Sequence, residues 1–244
     1  GDITEGEKIN VCVPTGNFGN ILAAYLAKHM GVPIEKLICA SNENKVLTDF
    51  FHTGAYDRNR PFILTSSPSM DILISSNLER LIYLSTGCDC AKTAQLMEDL
   101  RTKGVYEISE DMRQFMSDFI GGYAEESEVF QTIRTLKEDA GYVLDPHTAV
   151  AATVYEKYRE SSGDTRKTVI ASTASPFKFA PNVMKALGID VENQDVFSVI
   201  DQLSELSGVQ EPRAIREVRN AEIRHSEVCE ISEMQQMVEK FLFS

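Results

Sequence analysis

A chain of 244 residues, 43% hydrophobic and 25% charged, can bury a sizeable core as one large domain or two small ones. Its formal net charge of −13 argues against nucleic acid as a partner, because a phosphate backbone needs a surplus of Lys and Arg on one surface. No apolar run is long enough to span a membrane, and the odd count of five cysteines suits reduced cytoplasmic thiols better than a disulfide framework.

The chain opens Gly-Asp-Ile-Thr without an initiator Met, as a processed end, a tag scar or an excised fragment would. Ile9 to Val13 reads as a fully buried strand, ended by Pro14-Thr15-Gly16. A helix follows from about Phe18 to Met30, with Gly31 as its C-terminal cap and Pro33 just beyond. Ala23, Ala24 and Ala27 give it a small face that can lie close on a sheet. Leu37 to Ala40 is a second buried strand, which completes a parallel crossover unit. A short helix from Asn44 to Phe51, a Pro- and Ser-rich loop from Asp57 to Ser69 and a helix within SSNLERLIYLSTG come next.

Residues 89 to 139 read as successive helices, CAKTAQLMEDLRTKG, SEDMRQFMSDFIGG and ESEVFQTIRTLKEDAG, with Val105 to Ile108 a brief strand or an extended link. DPHTAVAATVYEKYRESSG opens another helix, with Asp145 as N-cap and Pro146 at its first position. Thr168 to Ser172 is a third buried strand. Helices follow near Pro181 to Leu187, Val196 to Leu206 and Met234 to Phe243. The expected class is α/β: a parallel sheet flanked by helices, with a helical insertion. The expected divisions are a loop-bearing α/β part over 1–88, the insertion over 89–140, a return to the sheet over 141–190 and a helical tail over 191–244.

Gly16-Asn17-Phe18-Gly19-Asn20 sits where strand passes to helix. Glycines at both ends of so tight a bend let backbone amides converge on an anion, and the helix adds its positive end. The bland alternative is a turn carrying helix caps. The segment is neither a Walker loop, since no Lys-Ser or Lys-Thr follows Gly19, nor a dinucleotide fingerprint, since the third Gly is absent.

VPTGNFGNILAAYLAKHMG resembles the cofactor-phosphate loop of threonine synthases, pyridoxal-phosphate enzymes of the tryptophan-synthase β-subunit fold (fold type II). ASNENKVLTDFFHTGAYD (Ala40 to Asp57), SPSMDILISSNLERL (Ser67 to Leu81), LDPHTAVAA (Leu144 to Ala152) and ASTASPFKF (Ala171 to Phe179) resemble the same family in the same order. The resemblance implies pyridoxal 5′-phosphate as cofactor, its phosphate held by Gly16, Asn17, Phe18, Gly19 and Asn20 and its ring nitrogen met by the Thr173 hydroxyl. The bland reading of Thr173 is an N-cap of the next turn. The resemblance also puts Asp145, Pro146, His147 and Thr148 in the expected set facing the ring, with His147 a candidate for proton transfer and a simple helix cap as the alternative. Arg80 offers a fork for a substrate phosphate or is a solvated surface residue. His29, His52 and His225 read as surface or packing residues. Cys88-Asp89-Cys90 lacks the spacing and the second ligand pair of a metal site, so no metal is expected.

In the family the Schiff-base lysine precedes the phosphate loop. Here the sole lysine before Val13 is Lys8, in the wrong context. The catalytic lysine is therefore expected in a missing amino-terminal portion of the same enzyme, and this chain alone is expected to bind cofactor weakly and to turn nothing over. The whole enzyme would convert O-phosphohomoserine and water to threonine and phosphate. A related phospho-lyase, or a non-catalytic module that kept the scaffold, are the alternatives, and a homo-oligomer stays open.

Overall fold

A computed structural model describes residues 2–243, which fall into two compact units divided after Val209. The first begins with β1 (Ile9–Pro14), α1 (Gly19–His29), β2 (Ile34–Ser41), α2 (Val46–Thr53) and β3 (Ala55–Asp57). It continues through α3 (Leu78–Ser85), α4 (Cys90–Lys103), β4 (Val105–Glu107), α5 (Glu110–Phe115) and β5 (Phe119–Tyr123). After α6 (Glu126–Ala140) and α7 (Pro146–Ser162) come β6 (Thr168–Ile170), α8 (Ala180–Ala186) and α9 (Val196–Ser207). The second unit holds α10 (Arg213–Arg219) and α11 (Met234–Phe243).

Four strands form a parallel sheet in the order β5-β2-β1-β6. Parallel pairing demands crossover helices, and these cover both faces. The glycines of β5 show how closely. A Cβ on Gly121 would lie 3.0 Å from the Thr48 backbone of α2, and one on Gly122 would lie 2.6 Å from Val154 of α7. Successive strand residues point to opposite faces, so α2 and α7 lie on opposite sides of the sheet. α1 shares the side of α2, since Tyr25 and Phe18 pack on Phe119, itself in phase with Gly121. Tyr25, Phe50, Phe51 and Phe119 continue that aromatic layer.

β3 and β4 form a separate antiparallel ribbon in which Tyr56 and Tyr106 stack at 5.4 Å. Burial pushes the Tyr56 phenol up to about 12, so it remains a neutral hydrogen-bonding group. Its hydroxyl donates to the Leu73 carbonyl at 3.1 Å and accepts from the Ser75 N–H at 2.8 Å.

Three sequence expectations need correction. SEDMRQFMSDFIGG is not one helix: α5 stops at Phe115, and Phe119 to Tyr123 form β5, inside the main sheet. Two adjacent glycines end helical propensity there, and their missing side chains admit α2 and α7. β6 is not a fully buried strand, because it pairs on one side only, with β1, and Val169 is 44% exposed. Finally, α10 escaped the sequence reading: it spans only seven residues, too short for an apolar period to stand out, and it buries none of them.

Candidate functional site

β1 delivers the chain to the carboxyl end of the sheet, where ligands of open α/β sheets bind. Residues 15–18 form the bend, and α1 begins at Gly19. Phe18 holds the bend in shape. It adopts a left-handed conformation (φ 67°), which costs a non-glycine residue about 1–2 kcal/mol. Its ring is 1% exposed, between Phe51 (6.0 Å) and Phe119 (5.6 Å). Burying such a ring gains about 1.5–3 kcal/mol, which offsets the strain. Phe18 is thus a core anchor as well as part of the loop, a role that the motif alone did not reveal.

The bend is also gripped from outside. Ser75 Oγ donates to the Gly16 carbonyl at 2.7 Å. The Asn17 carbonyl accepts from the Asn77 N–H at 3.1 Å and from Asn77 Nδ2 at 2.6 Å. Arg80 in turn donates to Asn77 Oδ1. Arg80 is therefore neither idle nor free: it steadies the residue that steadies the loop. All these grips fall on carbonyl oxygens. The N–H groups of Gly16, Asn17, Phe18, Gly19 and Asn20 have no protein acceptor among the described residues. They lie beside a cavity of about 230 Å³ lined by residues 13–21 and Asn77. The first turn of α1 carries no carboxylate to neutralise its positive end. Uncommitted amides at such a terminus suit an anion.

Gly16 is needed here for space. A Cβ on it would lie 2.5 Å from the Ser69 carbonyl oxygen, whereas a Cβ on Gly19 would meet only Asn77 Nδ2, at 3.7 Å. The facing segment is itself held by a polar knot. Asp71 Oδ1 accepts from Asn42 Nδ2 (2.8 Å), Asn44 Nδ2 (2.9 Å) and Thr65 Oγ1 (2.7 Å), while Oδ2 accepts from the Thr65 N–H at 2.9 Å.

Thr173 belongs to the same end of the sheet. Cys12 pairs with Ile170, and the Ala171 N–H donates to the Cys12 carbonyl at 2.9 Å. Both chains therefore leave the sheet side by side. Thr173 is exposed, and it does not cap the next turn; Ser175 does, accepting from the Phe177 N–H at 3.4 Å. Asp145 caps α7, accepting from the N–H groups of His147 (2.9 Å) and Thr148 (3.2 Å). Burial raises the Asp145 carboxyl, but hydrogen bonds from His147 and Thr148 outweigh it and leave the group below the ordinary carboxylate range. His147 is buried against the Phe179 ring at 4.7 Å. Elsewhere, His29 packs on Tyr25 and His225 on Phe241. Among the described residues no group of three or more His, Cys, Asp or Glu could hold a metal, and no helix is long and apolar enough to cross a membrane.

Comparisons with known proteins converge on one family. A family model described as "Threonine synthase, C-terminal" matches residues 148–229. Human "Threonine synthase-like 1" is 45% identical over 196 residues, 80% of this chain and 26% of that protein. Threonine synthase of Saccharomyces cerevisiae is 40% identical over 199 residues, 75% of this chain and 38% of that protein. Among solved structures, yeast threonine synthase superposes with a TM-score of 0.81 at 31% identity, covering 98% of this chain and 48% of that one. A structure titled as PLP-bound threonine synthase from Brucella melitensis gives 0.71 at 38%, covering 85% and 43%. The chain thus spans about a quarter of the first relative's length and less than half of each synthase's.

Proposed function

We propose, for a chain that corresponds to the carboxyl-terminal portion of the threonine synthase family, that it seats the phosphate and the ring nitrogen of pyridoxal phosphate. The observation that carries this is the run of uncommitted amides from Gly16 to Asn20, set at the start of α1 beside a cavity. Those donors match a doubly charged phosphate ester. The exposed Thr173 hydroxyl, just beyond β6, would meet the ring nitrogen. A neutral hydroxyl donates a hydrogen bond there without fixing a proton on the nitrogen, as a carboxylate would.

Pyridoxal phosphate, when bound, supplies an electron-withdrawing ring that takes up the electron pair released as a substrate C–H bond breaks. Residues of this chain bind and orient it. In this reading the Schiff-base lysine belongs to a further portion of the protein, and this chain is inactive by itself. The whole protein would convert O-phosphohomoserine and water to threonine and phosphate. A second reading is a phospho-lyase of the same fold that eliminates phosphate without forming threonine.

Calorimetric titration of the chain with pyridoxal 5′-phosphate and with pyridoxal tests the seat. The phosphate ester should bind at least about tenfold more tightly, the scale of one or two charge-assisted hydrogen bonds. Equal affinities would sink the loop assignment. Product analysis of the longer protein with O-phosphohomoserine separates the two readings: threonine for the synthase, 2-oxobutanoate with phosphate for the lyase.

A further inference from the structure

Two distant parts of the sequence meet at Ser69. Its carbonyl oxygen is the atom that leaves no room for a side chain on Gly16. Its N–H donates to His147 Nε2 at 3.2 Å. A backbone N–H can only donate, so Nε2 is the bare nitrogen of a neutral imidazole and the proton resides on Nδ1. The other contact agrees. Nδ1 lies 3.2 Å from Asp145 Oδ1, and an ionised carboxylate can only accept. Both ring nitrogens are therefore committed, and the ring is fixed further by Phe179. This leaves His147 no nitrogen with which to exchange a proton with a substrate while the contacts hold. It does give a reason for a histidine here: an acceptor at that distance satisfies the Ser69 N–H and holds the turn Pro68–Met70 in place.

From this geometry we infer that His147 is a positioning residue for the phosphate loop, acting through Ser69 on Gly16 rather than on the reacting atoms. Asp145 sets its tautomer. The inference rests on the reading of residues 16–20 as a phosphate seat. Its content is a mechanical chain in which the α7 N-terminus fixes His147, His147 fixes Ser69, and Ser69 fixes the level at which the Gly16 backbone must lie. The loop amides then keep one direction whether or not an anion is bound.

The test uses the full chain labelled with 15N and pyridoxal 5′-phosphate as probe. The imidazole nitrogen spectrum should show the Nδ1-protonated tautomer at His147. His147→Leu removes the acceptor and should weaken pyridoxal 5′-phosphate binding about tenfold, with the Ser69 and Gly16 amide resonances displaced. His147→Gln, whose side-chain carbonyl can accept from Ser69, should recover binding to within about threefold and restore those resonances. A purely structural role would alter melting without this recovery. An Nε2-protonated tautomer overturns the inference, as does a folded Leu variant that binds like wild type or a folded Gln variant that fails like Leu. Should the Leu variant not fold, the tautomer and the Gln variant decide. A wild-type chain that binds pyridoxal as tightly as its phosphate ester instead defeats the seat itself, while the tautomer and the Ser69 contact are still read from the spectra.

Discussion

The two glycines of the bend look equivalent in the sequence, yet their surroundings make them unequal. Gly16→Ala places a Cβ 2.5 Å from a backbone oxygen that cannot rotate away, so Ser69 or the loop must move. That should cost about 1–3 kcal/mol of stability and weaken pyridoxal 5′-phosphate binding more than tenfold, in keeping with displaced amides. Gly19→Ala meets only the end of a side chain and stands at a helical position where Ala is favoured. It should change stability by less than about 1 kcal/mol and leave binding near wild type. Urea melts and calorimetry of both variants check this, and an equal loss at both positions would contradict the steric account. The bend was legible in the sequence because two closely spaced glycines between a buried strand and a helix mark a tight turn. The anchoring of Phe18 was not, since a ring inside a polar motif gives no sign of the aromatic layer that receives it. Nor did the sequence show that Ser175, rather than Thr173, takes the cap and leaves the Thr173 hydroxyl exposed.

At the scale of elements, β1, α1, β2, α2, α6 and α7 were readable because apolar period, caps and terminal glycines agree. β5 was hidden, because MSDFIGG carries the composition of a fraying helix end and only tertiary contact shows why glycine is needed. The β5 glycines therefore make a sharp test of the sheet. Gly122→Ala sets a methyl 2.6 Å from Val154 Cγ1, a stiff β-branched neighbour. The expected loss is about 1–3 kcal/mol. Adding Val154→Ala should return part of it, with a coupling of at least about 0.5 kcal/mol in a double-mutant cycle, and strict additivity would argue against the α7–β5 contact. The turn from α7 to β6 depends on a different chemistry. Asp164 accepts from Asn10 Nδ2 (3.0 Å), the Tyr158 hydroxyl (2.8 Å) and the Arg166 N–H (2.9 Å). Burial raises this carboxyl, but these hydrogen bonds prevail and bring it down to about 2. A carboxyl depressed in the folded state contributes stability that is complete above its unfolded value of about 3.9 and fades as pH falls through about 2. Asp164→Asn should thus be less stable than wild type at pH 5 to 7. The difference should narrow below pH 4 and be lost only as pH falls below about 2, as followed by urea melts across that range. A difference that persists unchanged at acid pH would show that shape, not charge, is what the site needs.

For the whole molecule, burial is unevenly distributed along the chain, and this sets what can be removed. The sheet and its helices lie before Val209, and α9 closes that unit by burying Val199, Ile200 and Leu203. Beyond it, α10 and α11 contain no buried residue, and Ile223, Val228, Ile231 and Phe243 are each more than four-fifths exposed. Sequence periodicity marked α11 as a helix, but period reports only that an apolar face exists and not whether anything covers it. Truncation tolerance follows from burial rather than from position in the sequence. A chain ending at Val209 should keep a single cooperative thermal transition within about 3 °C of the full chain, because α10 and α11 themselves contain no buried residue. It should also bind pyridoxal 5′-phosphate with unchanged affinity, since the bend, the Ser69 turn, His147 and Thr173 all lie before that point. Differential scanning calorimetry and titration of the shortened chain measure both. A broad or absent transition would mean that residues 210–244 contribute stability their exposure does not predict, and the division of the molecule at Val209 would have to be abandoned.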